Sequence, residues 1–137
     1  MTPGYSGKPL VAKLGLKPHS SFYTYDAPLE YLDWLAPLPD GVKHLTTLEP
    51  NLSFIHGFFE KRSTFEEQLP AFMKHLEKSG MIWISWLKKS AKIPTDITED
   101  TIREIALPMG LVDVKVCAVS EIWSGLKLVI PVGKRSS

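Results

Sequence analysis

The residues best suited to chemistry stand at or just after the ends of two apolar segments, 21–25 and 81–86, that predict strands. Because the carboxyl ends of parallel strands meet at one edge of a sheet, these side chains are expected to converge on one crevice. There an aspartate could accept a hydrogen bond from a ribose hydroxyl or an amine, lysines could hold an anion, and a tryptophan could stack on a ring. This candidate ligand site consists of Asp26, Ala27, Pro28, Ser85, Trp86, Lys88 and Lys89.

Each of these residue types also has an ordinary structural role. An aspartate after a strand often makes the hydrogen bonds of its own turn, and lysines in a loop are usually solvated. A tryptophan in an apolar strand usually belongs to the core. The sequence leaves both interpretations open for Asp26, Trp86, Lys88 and Lys89.

A second group lies at a predicted hairpin turn and is a candidate interaction surface, made of Trp123, Ser124 and Lys127. The broad ring of a tryptophan can anchor a protein partner, although a turn tryptophan can also fold back onto its own domain. The basic residues near the start of the chain could touch phosphate, but they lack interleaved exposed aromatic residues, so no nucleic-acid partner is expected. These basic residues are Lys8, Lys13 and Lys17.

Several familiar chemistries lack their residue patterns in this sequence. The four histidines are far apart and only one cysteine is present, so no metal site is expected. Neither a GxGxxG turn nor a phosphate-binding P-loop occurs, and there is no GxSxG nucleophile elbow. Cys117 lies in an alternating segment, which favours a small buried hydrophobic residue over a nucleophile. No catalytic residue and no cofactor are therefore assigned.

The composition predicts one globular domain. A chain of 137 residues that is 44% hydrophobic is long enough for one core and too short for two. We expect residues 1–137 to form a single α/β domain, with residues 1–20 as an arm packing on it. The net charge of +1 supplies no strong field toward polyanions or membranes. Without an apolar span, a secretory-type leader or paired cysteines, we expect a cytoplasmic protein without membrane contact, whose partner is a small anionic ligand or a protein.

The order of predicted elements indicates the fold class. Apolar segments predict strands at 21–25, 42–46, 51–59, 81–86, 112–118 and 126–130, the last two joined by a turn at 124–125. Helical spacing predicts helices at 29–35, 63–78 and 98–109; Ser63 and Glu66 form a capping box for the second, and Asp96 or Thr98 could cap the third. Since strand-helix-strand crossovers are right-handed, this order predicts a three-layer Rossmann-like α/β fold. Its sheet would have about six mostly parallel strands with a C-terminal antiparallel hairpin, and helices on both faces.

Six short segments carry a resemblance to a known family. They are 5–10 (YSGKPL), 13–17 (KLGLK), 85–89 (SWLKK), 95–99 (TDITE), 110–118 (GLVDVKVCA) and 123–127 (WSGLK). On these segments the chain resembles, over nearly its whole length, the bacterial family named domain of unknown function 3052. Two positions depart from the family pattern: Leu87, where the family has proline, and Asp26, where relatives have asparagine.

The resemblance implies a scaffold but no reaction. At the level of fold the chain resembles the second half of class I methyltransferases, in which the cofactor approaches a glycine-rich turn after the first strand. The corresponding turn here, 26–30, has no glycine. The leading expectation is therefore a non-catalytic or regulatory binding domain and not an enzyme. One alternative is an enzyme acting on a small anionic or nucleotide-like ligand, with Asp26 as base or hydroxyl clamp and Lys88 or Lys89 as anion holder. The other is a protein-interaction adaptor that uses the basic arm and Trp123.

Overall fold

The computed structural model describes residues 9–134, and a six-stranded sheet organises this part of the chain. The strands are β1 (Ser21–Tyr25), β2 (Lys43–Leu45), β3 (Leu52–Phe58), β4 (Leu76–Leu87), β5 (Val112–Ala118) and β6 (Trp123–Val129). The α-helices are α1 (Leu10–Leu14), α2 (Tyr31–Leu35), α3 (Arg62–His75) and α4 (Glu99–Ala106), and short 3-10 turns cover Lys89–Ala91, Leu107–Met109 and Val132–Lys134. The first part of the expected arm, including Lys8, lies outside the described residues.

The strand order in the sheet is β2-β1-β3-β4-β6-β5. The first four strands are mutually parallel, and β6 runs antiparallel to both β4 and β5. Strand β4 lies inside the sheet and is buried on both faces from Ile82 onward, because helices cover both sides. The predicted Rossmann-like α/β class is confirmed, with its mostly parallel sheet and its C-terminal antiparallel hairpin.

Two separate cores lie on the two faces of the sheet. Helices α3 and α4 cover one face, where Phe72, Ile55 and Ile84 belong to one buried hydrophobic cluster. Helices α1 and α2 cover the other face. There the indole N–H of Trp83 donates to the carbonyl oxygen of Leu14 at 2.9 Å, which fixes α1 across β4. None of the helices within residues 9–134 has the length and apolar character that crossing a bilayer requires.

The cap of α3 differs from the sequence expectation, whereas α4 is capped by Thr98, one of its two predicted caps. Helix α3 begins at Arg62, one residue before the expected capping box, and Lys61 caps it without a side-chain hydrogen bond. The backbone N–H of Arg62 instead donates to the carboxylate of Asp96, 34 residues away in sequence. Thr98 caps α4 by accepting from the N–H of Thr101 at 3.2 Å. The predicted capping box of Ser63 and Glu66 was therefore wrong, because a tertiary contact supplies the cap.

Three element boundaries in the structure also differ from those that the sequence predicts. The hairpin turn occupies residues 119–122, and the predicted turn residues Ser124 and Gly125 lie within β6. Helix α2 begins at Tyr31, so Leu29 is 99% exposed and Tyr31 is buried in its place. Helix α3 ends at His75, and residues 76–80 already belong to β4.

Candidate functional site

The sheet has a topological switch point between β1 and β3. From β1 the chain moves outward to β2 on one side and then returns to β3 on the other side, so the strand order reverses between two adjacent parallel strands. In open α/β sheets ligands bind outside the carboxyl ends of the strands at such a point. A cavity of about 210 Å³ lies there, lined by Asp26, Phe58, Phe59, Glu60, Lys61 and Thr64.

Asp26 makes the bend after β1 without help from glycine. Its backbone lies in the left-handed region at φ 56°, which aspartate and asparagine tolerate better than most side chains. Ala27 packs against the core on the α1 and α2 face, and the carbonyl of Pro28 accepts from the N–H of Tyr31 at 3.0 Å. The carboxylate of Asp26 is exposed at the mouth of the switch-point cavity.

A second and larger cavity, of about 690 Å³, lies beyond the end of β4. Trp86, Lys88 and Lys89 line it together with residues 93–95 and 97–100. Lys88 is tied to the hairpin turn, since its Nζ donates to the carbonyl of Ser120 at 2.9 Å. Lys89 is exposed, and the ring of Trp86 is largely buried in the core.

The predicted site residues therefore share one edge of the sheet but not one cavity. Asp26 belongs to the switch-point cavity, whereas Trp86, Lys88 and Lys89 belong to the cavity beyond β4. Strand β3 lies between β1 and β4, which separates the two groups by about 10 Å at ordinary strand spacing.

Ser85 takes part in a buried hydrogen-bond chain that the sequence analysis did not find. Nε2 of His56 lies 2.7 Å from Oγ of Ser85, and Nδ1 of His56 lies 2.8 Å from the hydroxyl of Tyr31. His56 and Ser85 have no exposed surface and Tyr31 is 1% exposed. Ser85 is thus enclosed in the protein and does not face either cavity. Neighbouring strand positions were the available signal, because His56 pairs with Trp83 in the register that brings Ser85 close.

Burial keeps the side chains of Tyr31, His56 and Ser85 neutral near pH 7. Desolvation lowers the pKa of His56 to about 3 and raises the pKa of the Tyr31 hydroxyl far above its ordinary value. A neutral, enclosed imidazole cannot reach a substrate proton. The buried hydrogen-bond chain therefore positions α2, β3 and β4 relative to one another, and Tyr31 connects these hydrogen bonds to the turn after β1.

The residues predicted to form an interaction surface lie along β6. Trp123 is 8% exposed and packs edge-on against Phe58 at 5.1 Å between ring centroids. Ser124 and Lys127 follow in the same strand, with Lys127 opposite Trp83 of β4. Trp123 therefore folds back onto its own core, which was the alternative interpretation of this residue.

The single cysteine and the histidines are not gathered into a metal-ligating group. Within residues 9–134, no set of three or more His, Cys, Asp or Glu side chains is placed to hold a metal ion. Cys117 is half-buried on β5, and burial raises the pKa of its thiol despite the nearby Lys13 and Lys115.

Comparisons with solved structures identify the fold. A SAM-dependent methyltransferase from Aquifex aeolicus matches with a TM-score of 0.63 and 15% identity, over 89% of this chain and 88% of that protein. A tRNA methyltransferase from B. subtilis matches with a TM-score of 0.57 and 13% identity, over 90% and 66% of the two chains. The magnesium protoporphyrin IX methyltransferase from Synechocystis, with bound SAH, matches with a TM-score of 0.56 and 10% identity, over 89% and 78%. No family model and no curated protein sequence matches the chain.

These comparisons contradict the leading expectation of a non-catalytic or regulatory binding domain that is not an enzyme. The turn after β1 lacks glycine, which favoured a non-catalytic domain, yet the solved structures that share this fold are methyltransferases. The alternative of an atypical methyltransferase-like enzyme fits them better. The described chain has the Rossmann-like α/β fold of class I SAM-dependent methyltransferases.

Proposed function

We propose that the chain is an atypical methyltransferase that binds a nucleoside-type cofactor at the switch point between β1 and β3. The observation that carries the proposal is the position of the cavity beside Asp26, Glu60 and Lys61, at the one place where strand order reverses between described parallel strands. Open α/β sheets bind ligands at this place whatever their reaction. The methyltransferases that share the fold support S-adenosylmethionine as the cofactor.

The residues at the cavity fit the charged groups of this cofactor. The exposed carboxylate of Asp26 can accept from its ammonium group or from ribose hydroxyls, and the Lys61 ammonium can pair with its carboxylate. In class I methyltransferases the cofactor usually approaches the backbone of this turn closely. That approach does not fit here, because every residue from 26 to 30 carries a Cβ. The cavity is also smaller than the roughly 300 Å³ at which ordinary ligand pockets begin, so it would hold only part of the molecule.

The roles of the residues follow from this division. Asp26 and Lys61 bind and orient the charged end of the cofactor, and the turn itself is held by the hydrogen bond from Tyr31 to Pro28. When bound, the sulfonium of S-adenosylmethionine supplies an electrophilic methyl group. We assign the acceptor to the larger cavity beyond β4, where Lys89 offers a cation for an anionic acceptor.

We also propose that residues 1–137 form one domain of the family named domain of unknown function 3052 and act in the cytoplasm. The segments around residues 85–89 and 123–127 support the family assignment. In the fold they lie beside each other, because Ser85, Trp86 and Leu87 pair with Gly125, Ser124 and Trp123.

Calorimetric titration with S-adenosylmethionine and S-adenosylhomocysteine tests the cofactor. We expect one-to-one binding, weakened about tenfold by Asp26→Asn, since a hydrogen bond to a charged group contributes about 1.5–3 kcal/mol. Asparagine tolerates the left-handed backbone of Asp26, so the turn is preserved. Asp40→Asn, at an exposed aspartate away from the cavity, is the matched control. Absence of binding, or equal affinity of all three proteins, would show that the cofactor site is misassigned.

Turnover needs its own measurement. The protein is incubated with S-adenosylmethionine and a deproteinised cell extract, and the release of S-adenosylhomocysteine is followed. Release that depends on both the extract and Asp26 is the expected result. Tight binding without extract-dependent release would contradict the catalytic part of the proposal.

A further inference from the structure

Helix α2 and the turn before it expose leucine side chains that the core does not use. Leu29 is 99% exposed and Leu32 is 40% exposed. Neither leucine belongs to or packs against either hydrophobic core of residues 9–134. The turn at 28–31 winds on into α2, so the two leucines, three residues apart, lie on one side of it. Burial of this apolar stripe against another apolar surface would be favourable.

The same stretch of chain is acidic. Its exposed carboxylates are those of Asp26, Glu30, Asp33 and Asp40. Residues 18–42 contain no lysine or arginine, although the whole chain has 16 of these residues and a net charge of +1. In the part of the chain that the structure describes, none of the four carboxylates takes part in an ion pair. Their negative charge is therefore available to a cationic partner.

The leucines and the carboxylates together determine which kind of partner fits. We call Leu29, Glu30, Leu32 and Asp33 the acidic leucine surface. Nucleic acids and anionic membranes carry the same sign of charge as this surface and are repelled by it. A metal ion or a polyamine can pair with the carboxylates but leaves the leucines in water. A polypeptide segment that carries both basic and apolar side chains matches both features.

A second copy of this chain fits the surface less well. Packing two α2 helices about a two-fold axis would place the carboxylates of Glu30 and Asp33 against the same carboxylates of the other copy. Packing α2 on a basic loop of another copy, such as the one with Lys89 and Lys92, would join two different surfaces. Contacts of that kind extend into filaments unless the rotation between copies closes a ring.

We infer that the acidic leucine surface binds a basic polypeptide segment of another protein, in which apolar side chains alternate with lysines or arginines. The leucines are the anchors that become buried, and the carboxylates select a cationic partner and speed its association. The inference is independent of the proposed methyltransferase activity, because none of the four residues lines either cavity at the strand ends.

Fluorescence anisotropy with a labelled peptide of about 14 residues tests the inference, the peptide carrying leucines on one helical face and lysines on the other. In about 50 mM KCl the wild-type protein should bind it with a Kd below about 100 µM, and binding should weaken severalfold in about 200 mM KCl. Peptides with serine in place of leucine, or glutamate in place of lysine, should bind at least about tenfold more weakly. Absence of binding, or equal binding of the serine peptide, would overturn the inference.

Paired leucine variants locate the binding on α2. The double variant Leu29→Ser, Leu32→Ser should bind the peptide at least about tenfold more weakly, because two apolar anchors are lost. The control Leu107→Ser, Val132→Ser removes exposed apolar side chains elsewhere and should bind as the wild type does. Both leucines lie outside the core, so the melting temperature should stay within about 3 °C of the wild-type value. Equal affinity of the two double variants would overturn the inference.

Paired charge variants test the carboxylates. The double variant Glu30→Gln, Asp33→Asn should bind the peptide at least about threefold more weakly in about 50 mM KCl and should lose part of the salt dependence. The control Glu67→Gln, Glu121→Gln removes the same charge from exposed positions elsewhere and should bind as the wild type does. If the control weakened binding as much as the α2 variant, the peptide would be responding to net charge and the inference would be wrong.

Photo-cross-linking locates the peptide on the wild-type protein without any substitution. A photoreactive leucine analogue replaces one leucine of the peptide, and the cross-linked protein is digested with trypsin. Because residues 18–42 contain no lysine or arginine, the acidic leucine surface leaves in a single tryptic fragment that ends at Lys43. Most cross-links should fall on that fragment. Cross-links concentrated on another fragment would place the peptide elsewhere and overturn the inference.

Two further outcomes would assign the surface to a different occupant. Light scattering that showed dimers of the wild-type protein, lost in Leu29→Ser, Leu32→Ser, would assign it to a second copy of this chain. Displacement of the peptide by spermine at the same concentration would assign it to small polycations, since spermine has no side chain to cover the leucines. The inferred basic segment predicts a monomeric protein and no such displacement.

Discussion

Nε2 of His56 lies 2.7 Å from Oγ of Ser85 at a point in the core where neither side chain has any exposed surface. The hydroxyl of Tyr31 lies 2.8 Å from the other ring nitrogen, so the imidazole bridges α2, β3 and β4. Each hydroxyl can either donate or accept, so both neutral tautomers of His56 can be satisfied. A protonated ring is disfavoured because the site excludes the water that would solvate its charge.

We predict that His56 makes the fold sensitive to mild acid. Burial lowers its pKa to about 3 in the folded protein, against 6.5 when it is solvated. As the pH falls from about 6.5 toward 3, the unfolded chain therefore binds a proton at His56 that the folded chain does not bind. In that window the free energy of unfolding should decrease by roughly 1 kcal/mol per pH unit, and above pH 6.5 the full contribution is present. Urea unfolding at half-unit pH steps measures the slope.

The variant His56→Gln isolates this contribution from the carboxylates that also titrate in acid. Glutamine can keep one hydrogen bond to a neighbouring hydroxyl and has no proton to gain. The variant should be less stable at pH 7, and the stability difference from the wild type should shrink between pH 6 and pH 4. Parallel curves for the two proteins would mean that His56 does not carry the pH dependence.

The hydroxyl of Tyr31 should contribute to stability through His56. Tyr31→Phe leaves Nδ1 of a fully buried imidazole without a partner, which costs roughly 1–3 kcal/mol in the free energy of unfolding. Ser85→Ala should cost a similar amount at Nε2. Because both bonds act on the same ring, the double variant should lose less than the sum of the two, with a coupling of roughly 0.5–3 kcal/mol. Tyr25→Phe, at a less buried tyrosine, is the control. Strictly additive losses in the double variant would contradict the coupling of Tyr31 and Ser85 through His56.

Gly57 should be intolerant of any side chain. A Cβ built at this position of β3 would lie 2.6 Å from Cε2 of Phe59 and 2.8 Å from Cε2 of Phe72. Gly57→Ala must therefore displace two buried rings, and overpacking of this kind typically costs about 1–3 kcal/mol. Gly133→Ala is the control, since a Cβ there meets no atom within 4 Å. Chemical denaturation compares the two, and a similar small effect at both positions would refute the packing argument.

The sheet could be predicted because the apolar residues of its strands indicate which strands are buried. Residues 81–86 are nearly all apolar, and this part of β4 is covered on both faces in the structure. The dipeptide Ser124-Gly125 misled the prediction, since serine and glycine favour turns. In the structure Gly125 is selected by packing: a Cβ would lie 3.0 Å from Val119 and 3.1 Å from Trp83. Local turn preference and tertiary packing select the same residue type, and a single sequence does not separate them.

The candidate site was predictable only as far as the sheet edge. Asp26 and Lys89 do lie beyond the carboxyl ends of β1 and β4, as the parallel arrangement requires. Their division between two cavities depends on β3 lying between those strands, which is a property of strand order. His56 was missed because its two hydroxyl partners are 25 and 29 residues away in sequence. No spacing rule joins these residues.

The cap of α3 by Asp96 leads to the last prediction. The carboxylate of Asp96 accepts from the N–H of Arg62 in the first turn of a 14-residue helix, while Thr95 bonds the carbonyl of Glu60 through its hydroxyl at 2.8 Å. Asp96→Ala should therefore lower the free energy of unfolding by about 0.5–2 kcal/mol, because an orphan N–H and a favourable charge at the helix N-terminus are both lost. Asp96→Asn should lose less, since its amide oxygen still accepts. Ser63→Ala, at the residue that the sequence marks as the cap, should cost under about 0.5 kcal/mol. If urea unfolding showed a larger loss of unfolding free energy for Ser63→Ala than for Asp96→Ala, Ser63 and not Asp96 would be the cap of α3.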